Sequence, residues 1–214
     1  MLLEFAVRCS SFCKLAGAAV ALTFACAIVL GNQPTQFPQA EVIEKIACKA
    51  DPTQSYALFL PRGYTPEKKW PIVYAFDPVA RGSLPVKLFK DAADKFGFIL
   101  VGSNNSRNGI DVNEIVKTLW NDTHERFSIN ERRVYTTGFS GGARVASGVA
   151  VGYRGAIAGV IAASGGLPPN YKPSPASQFV FFGTAGTEDF NFPQDATTQT
   201  NPRQFWRDES LVNF

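Results

Sequence analysis

The residues best suited to chemistry are a serine and the glycines around it, in the run Gly138-Phe139-Ser140-Gly141-Gly142. An apolar segment precedes this run and small residues follow it, which predicts a strand that turns sharply into a helix. A serine at the tip of such a turn has a strained backbone, and Gly138 and Gly142 keep side chains out of the crowded positions. The pattern predicts Ser140 as a nucleophile and the Gly141 N–H, at the helix N-terminus, as a donor to an oxyanion. The alternative is an ordinary tight turn with a buried, helix-capping serine.

A second oxyanion donor is expected in the loop that follows an earlier apolar strand. That strand is Ile72 to Phe76, and its loop begins Asp77-Pro78-Val79. Because proline has no N–H, the donor is the backbone N–H of Asp77 or of Val79, and the sequence leaves both open. The alternative is an ordinary Asp-Pro turn.

A carboxylate that could orient a histidine follows a later apolar strand. The strand Phe179 to Phe182 leads into a loop that contains Glu188 and Asp189. A triad acid orients its histidine by accepting a hydrogen bond from Nδ1–H, and we expect Asp189, rather than Glu188, to have this role. The alternative is a solvated loop carboxylate.

A third loop, Gly102 to Gly109, is rich in hydrogen-bonding side chains and follows the strand ending at Val101. It lies at the edge of the sheet where open α/β folds bind ligands, so Asn104, Asn105 and Arg107 are candidates for contacts with a polar or anionic substrate group. Equally, Asn and Gly are common turn formers.

The sequence contains a single histidine, His124. It lies near the end of a predicted helix, which places it at the edge of the sheet opposite Ser140, about 16 Å away across a five-residue strand. We therefore expect His124 to be a surface residue at a helix end and not the base of a triad.

The elements that must position these residues alternate along the chain, which predicts a doubly wound, mostly parallel α/β sheet. Apolar runs predict six strands, and helical spacing of apolar residues predicts three helices. The predicted strands are Tyr56–Leu60, Pro71–Phe76, Phe98–Val101, Arg133–Thr137, Ile157–Ala162 and Phe179–Phe182, and the helices are Leu84–Lys95, Asp111–Arg126 and Gly141–Val151.

The chain begins with a segment typical of protein export. Residues 1–30 combine Arg8 and Lys14 with the uncharged run Leu15 to Leu30, which predicts a signal peptide or, if it is not cleaved, an N-terminal anchor. The expected localisation is periplasmic or extracellular. Cleavage after Ala27 would leave Cys48 as the only cysteine, so no disulfide framework is expected.

Composition and charge restrict the remaining classes. The chain has 214 residues, of which 45% are hydrophobic and 18% charged, with a formal net charge of +3. This is a globular composition with too little positive charge for a nucleic-acid-binding surface. After the leader we expect a spacer over 31–45, a core over 46–193 and an irregular tail over 194–214.

Together, the segments VYTTGFSGGAR, FDPVARG, GSNNSRNG and GTAGTEDFNF resemble secreted esterases of the α/β-hydrolase superfamily, of the polyhydroxybutyrate-depolymerase and feruloyl-esterase-like type. The resemblance implies Ser140 as nucleophile, Gly141 N–H as oxyanion donor and Asp189 as triad acid. It implies no metal and no organic cofactor, and a small-molecule or polymeric ester as substrate.

The same resemblance predicts a histidine after the acid, and none follows Asp189. We therefore expect that the sequence lacks the last helix, the last strand and the histidine loop of the fold, and that ester hydrolysis is impaired. The alternatives are a non-catalytic exported binding protein and a peptidase of the same fold.

Overall fold

The computed structural model describes residues 37–167, 179–186 and 189. In chain order the elements are β1 Val42–Ala47, β2 Ser55–Phe59, β3 Trp70–Phe76, α1 Ser83–Phe96, β4 Ile99–Ser103, α2 Asn113–Arg126, β5 Ile129–Phe139, α3 Gly141–Gly152, β6 Gly159–Ala163 and β7 Val180–Thr184.

The seven strands form one mixed sheet in the order β1-β2-β4-β3-β5-β6-β7. The pairs β1/β2 and β2/β4 are antiparallel, and all pairs from β4 to β7 are parallel. Each parallel pair requires a crossover connection, and a helix provides it between β3 and β4, β4 and β5, and β5 and β6. The predicted α/β fold class is confirmed.

The helices cover both faces of the sheet. On one face, Val86 and Ala93 of α1 pack with Ala57, Ala75 and Leu100. On the other face, α2 and α3 pack against strand side chains that point away from α1. The helix residues include Val116, Leu119, Ala143 and Ala146, and the strand residues include Leu58, Ile72 and Val101. Burial on both faces explains why the central strands read as continuous apolar runs rather than as alternating ones.

All six predicted strands and all three predicted helices are present, with shifts at their ends. The largest shift is in β5, which begins at Ile129 rather than Arg133 because a register irregularity opposite Trp70 and Ile72 adds residues to its start. Helix α1 ends at Gly97, which has a left-handed φ of 69° and whose N–H donates to Ala93 O at 3.0 Å.

The strand β1 was not expected, and it begins inside the range 31–45 for which the sequence predicts a spacer. Where the spacer ends and the core begins stays a prediction, but the sequence did not indicate this strand. The reason is that β1 pairs on one side only, with β2, and only Ile46 of its six residues is buried, so its sequence VIEKIA lacks the apolar run of a central strand. The leader 1–30, residues 168–178, Glu188 and the tail 194–214 lie outside the described residues.

Candidate active site

The parallel strands bring the candidate residues to one edge of the sheet. Phe76, at the end of β3, pairs with Gly138, and Ala75 pairs with Gly102 near the end of β4. Ala163, at the end of β6, pairs with Phe139 on one side and with Thr184 on the other. The loops that follow β3, β4, β5 and β7 therefore all leave the sheet at its carboxyl edge, as ligand-binding loops do in open α/β folds.

Ser140 has the backbone of a sharp, strained turn. It directly follows β5 and precedes α3, and its φ of 53° and ψ of −117° lie in a region that non-glycine residues rarely adopt. Its N–H donates to Ala163 O at 2.7 Å, which fixes the turn to the end of β6. The Ser140 side chain makes no capping hydrogen bond to α3, so a helix-capping serine does not account for this residue.

Three glycines let the backbone pack closely around Ser140. A Cβ at Gly138 would lie 2.7 Å from Ala143 N and overlap the Gly142 backbone, and a Cβ at Gly142 would overlap the Phe76 carbonyl. A Cβ at Gly165 would lie 2.6 Å from Ser140 O. We call this turn, residues 138–142, the elbow. Its glycines are required because any side chain there would separate β5, α3 and the end of β3.

The Gly141 N–H stands at the N-terminus of the twelve-residue helix α3. The aligned peptide dipoles of a helix place partial positive charge at this end, where the first N–H groups have no partner within the helix. The position suits a donor to a negative oxygen that develops next to Ser140.

The loop after β3 is organised around Asp77, which is 4% exposed. Its carboxylate accepts hydrogen bonds from the Val79 N–H at 2.9 Å, from the Arg81 N–H at 3.2 Å, and from Arg81 Nε and Nη2 at 3.0 and 2.9 Å. Burial acts to raise the pKa of Asp77, but the hydrogen bonds from Arg81 and Val79 outweigh it and hold the pKa below its usual value. The Asp77 carboxylate is therefore an anion that holds its own loop.

The two candidates for the second oxyanion donor, the backbone N–H groups of Asp77 and Val79, have different surroundings. The Val79 N–H is donated to the Asp77 carboxylate. The Asp77 N atom, by contrast, would lie 3.0 Å from a Cβ at Gly142, so it is next to the elbow. Both residues remain predicted donors, and the geometry favours Asp77.

The side chains of Asn104 and Asn105 are used to hold their own loop against β1 and β2. Asn104 Nδ2 donates to Glu44 O at 3.0 Å and lies 3.3 Å from Ser55 Oγ. Asn105 Oδ1 accepts the Ser55 N–H at 2.8 Å, and its Nδ2 donates to Thr53 O at 3.2 Å. These contacts give both amides a structural role, and their contact with substrate stays a prediction.

Arg107 and Asn108 join this loop to the loop after β3. Arg107 forms an isolated antiparallel bridge with Val79, and the Asn108 N–H donates to Pro78 O at 2.9 Å. The Asn108 side chain lies against the elbow, since a Cβ at Gly141 would overlap Asn108 Oδ1 and lie 2.9 Å from Nδ2. The sequence did not single out Asn108 from its neighbours, because all of them are typical of turns.

Asp189 follows β7 by five residues, and its N–H donates to Gly186 O at 3.2 Å. The end of β7 is tied to the end of β6, because the Ser164 N–H donates to Thr184 O at 2.7 Å. Asp189 is therefore in a loop that starts at the same edge of the sheet as the elbow. Its role as triad acid stays a prediction.

His124 lies at the opposite edge. It is near the end of α2, where Nδ1 is 2.8 Å from Trp120 O and Nε2 is 3.2 Å from Glu131 Oε2, near the start of β5. Its ring stacks on Trp120 with 4.2 Å between the ring centroids. These contacts make His124 part of the packing of α2 on the sheet, remote from Ser140 at the other end of β5.

Among the described residues, no group of three or more His, Cys, Asp or Glu side chains is arranged to hold a metal ion. In the same part of the chain, no helix is long and apolar enough to cross a membrane.

Two solved structures similar to this chain have TM-scores above 0.5. A feruloyl esterase module from Clostridium thermocellum, solved with sinapinate, has a TM-score of 0.56 and 18% identity, over 71% of this chain and 69% of that one. A structure described as FAE has a TM-score of 0.56 and 17% identity, over 83% of this chain and 75% of that one. No protein-family model and no curated protein sequence matches the chain. The resemblance predicted from the motifs is thus confirmed for the fold alone: this chain shares its fold with these two solved structures.

Proposed function

We propose that this protein is a serine hydrolase of carboxylic esters, with Ser140 as nucleophile. In the proposed reaction the Ser140 Oγ attacks the ester carbonyl, an acyl-enzyme forms as the alcohol leaves, and water then hydrolyses the acyl-enzyme. The substrate is a small-molecule or polymeric ester, and the reaction uses no metal or organic cofactor.

The observation that carries this proposal is the backbone of Ser140. A non-glycine residue at φ 53°, packed between glycines at the end of β5 and at the start of α3, costs about 1–3 kcal/mol of conformational strain. Such strain persists at functional sites because it places a side chain where the chemistry needs it. Here it presents Ser140 beside the helix N-terminus, where the Gly141 N–H can donate to the oxyanion.

The second oxyanion donor in this proposal is the backbone N–H of Asp77. It lies beside Gly142 of the elbow, whereas the Val79 N–H is already donated to the Asp77 carboxylate. Asp189 is the proposed acid, whose carboxylate would accept a hydrogen bond from the Nδ1–H of a triad histidine.

We expect slow ester hydrolysis by this chain. The single histidine, His124, is held at the opposite edge by Trp120 and Glu131, so it does not serve Ser140. Without its base, a serine nucleophile loses several orders of magnitude in rate and retains what the oxyanion hole and substrate binding contribute.

Chemical rescue tests this proposal. Hydrolysis of p-nitrophenyl acetate by the full chain is measured with and without added imidazole, which can replace the missing base. The proposal predicts slow hydrolysis that imidazole accelerates in the wild type beyond the acceleration seen with Ser140→Ala, since free imidazole also cleaves the ester. Identical rates for the wild type and Ser140→Ala in both conditions would contradict it.

A second candidate function is a non-catalytic binding protein that keeps the pocket without the chemistry. The observation that favours it is the position of His124, which leaves the described site without a general base. This candidate predicts ester binding with no covalent intermediate at Ser140, whether or not imidazole is present.

We also propose that the protein is exported, on the evidence of the basic and apolar leader in residues 1–30. Cell fractionation of the full chain should place it outside the cytoplasm, in the periplasm or the medium. Mass analysis of its N-terminus then separates a cleaved signal peptide from an anchor, and a cytoplasmic location would contradict export.

A further inference from the structure

Asn108 belongs to the loop Gly102 to Gly109, and its side chain lies against the elbow. A Cβ at Gly141 would lie 2.6 Å from Asn108 Cγ and 2.9 Å from Nδ2, and it would overlap Oδ1. Gly141 is the residue whose N–H is proposed to face the oxyanion, and Ser140 precedes it in the chain. The Asn108 carboxamide therefore lies beside one half of the proposed oxyanion hole.

The backbone of Asn108 is attached to the other half. Its N–H donates to Pro78 O at 2.9 Å, and the preceding residue, Arg107, bridges to Val79. Pro78 directly follows Asp77, the proposed second donor. A single residue thus connects the loop after β3, through its backbone, to the elbow, against which its side chain lies.

The Asn108 carboxamide is also available for a ligand. Asn108 is exposed, and among the described residues its side chain makes no hydrogen bond. Asn104 and Asn105, in the same loop, have amides bonded to the backbone of Glu44, Thr53 and Ser55. A carboxamide carries two N–H donors on Nδ2. Oδ1 is the atom nearest to Gly141, but a half-turn about the terminal side-chain bond of Asn108 would put Nδ2 in its place.

We propose that Asn108 is a catalytic residue that donates a side-chain hydrogen bond to the oxyanion formed at Ser140. The inference rests on the proposed function of Ser140. When Oγ bonds to the carbonyl carbon, the π electron pair moves to the carbonyl oxygen and the Ser140 proton passes to solvent water or to added imidazole. Asn108 Nδ2–H donates to that oxygen without transferring a proton, together with the backbone N–H groups of Gly141 and Asp77.

The test is the rate at which a fluorophosphonate labels Ser140 in the full chain. In this reaction Oγ bonds to phosphorus, fluoride leaves, and the phosphoryl oxygen takes the place of the oxyanion. Loss of one oxyanion-hole donor lowers rates by on the order of 100-fold, which is the decrease expected for Asn108→Leu. Asn130→Leu is the matched control, because Asn130 lies near the start of β5, and its labelling rate should equal that of the wild type.

Asn108→Asp provides a readout that a structural role would not give. Above the usual Asp pKa of about 3.9, the new carboxylate would repel the oxyanion, so this variant should label more slowly than Asn108→Leu. As the pH falls through that pKa, the neutral acid can donate a hydrogen bond, and the rate relative to the wild type should recover. Thermal midpoints measured on the same samples show that each variant is folded.

The outcomes separate the two proposals. Equal labelling of the wild type and Asn108→Leu would overturn the role of Asn108 and leave that of Ser140 intact. If Asn108→Leu does not fold, the test uses Asn108→Asp instead. A ratio of its labelling rate to that of the wild type that does not change with pH would likewise overturn the role of Asn108. No labelling of Ser140 in the wild type would overturn both proposals.

Discussion

Arg81 holds the carboxylate of Asp77 with two side-chain hydrogen bonds, from Nε at 3.0 Å and from Nη2 at 2.9 Å. The ion pair is asymmetric in burial, since the Asp77 side chain is 5% exposed and the Arg81 side chain 55% exposed. It closes the loop whose first backbone N–H is the proposed second oxyanion donor. A surface cation thus holds a buried carboxylate, and through it the loop after β3.

We predict that Arg81→Leu slows the labelling of Ser140 by a fluorophosphonate and lowers the thermal midpoint. Without the guanidinium, the Asp77 carboxylate keeps only the two backbone donors, and the loop is less well fixed. Arg81→Lys should recover part of both losses because it restores the charge without the two-pronged geometry. Lys87→Leu is the control, since it removes an exposed pair with Glu44. Equal effects of Arg81→Leu and Lys87→Leu would contradict the prediction.

The lowered pKa of Asp77 predicts a specific dependence of stability on pH. A carboxyl group whose pKa is lower in the folded state stabilises the fold above its unfolded pKa, about 3.9. This stabilisation is lost as the pH falls through the folded pKa. The midpoint difference between the wild type and Asp77→Asn should therefore be large at neutral pH and shrink in acid. A difference that is constant with pH would show that the ionised carboxylate contributes nothing.

The close packing at the elbow predicts opposite effects for two glycines of α3. Gly142→Ala puts a Cβ into the Phe76 carbonyl, and we expect a loss of at least about 1–3 kcal/mol in the free energy of unfolding, together with loss of Ser140 labelling. Gly148→Ala meets no atom within 4 Å and should stabilise the protein by about 0.5–1 kcal/mol. Urea unfolding measures both. Similar free energies for the two variants would contradict the packing described for the elbow.

The buried Asp122 on α2 predicts a large loss of stability that is independent of the site. Its carboxylate accepts hydrogen bonds from the Lys49 N–H at 2.8 Å, Tyr56 Oη at 2.8 Å and Arg126 Nε at 2.7 Å. The Arg126 side chain is only 9% exposed, so Asp122→Ala leaves a nearly buried cation without its carboxylate. We expect a loss of about 3–5 kcal/mol in the free energy of unfolding.

The control for Asp122→Ala is Glu125→Ala in the same helix. Glu125 pairs with Lys49 at the surface, where an ion pair contributes roughly 0–1 kcal/mol. Chemical unfolding should therefore separate the two variants clearly. Equal losses would show that the hydrogen bonds to Asp122 do not carry the stability assigned to them.

The sequence predicted most of the fold because its central strands and its elbow leave few alternatives. A strand buried on both faces must be apolar throughout, and the turn at Ser140 must have glycine at the crowded positions. The strand β1 was missed because an edge strand with one buried residue has no such pattern. Its charged residues suit a solvent-facing edge as well as they suit a spacer.

Within the candidate site, the sequence located the loops but did not identify which side chains face the elbow. Asn104, Asn105 and Asn108 are the same residue type in one loop, and only the contacts with β1, β2 and the elbow distinguish them. The position of His124 followed from topology alone, since a helix that connects parallel strands must end at the edge opposite the one where it begins.

Mass spectrometry of the fluorophosphonate-treated full chain tests the central claim most directly. The account predicts one covalent adduct, mapped to Ser140 and absent from Ser140→Ala, with faster labelling when imidazole is present. The peptide with Ser164 is an internal control, because Ser164 also has a positive φ, of 55°, and lies at the end of β6. No adduct at Ser140, or equal labelling of Ser140 and Ser164, would contradict an activated nucleophile at the elbow.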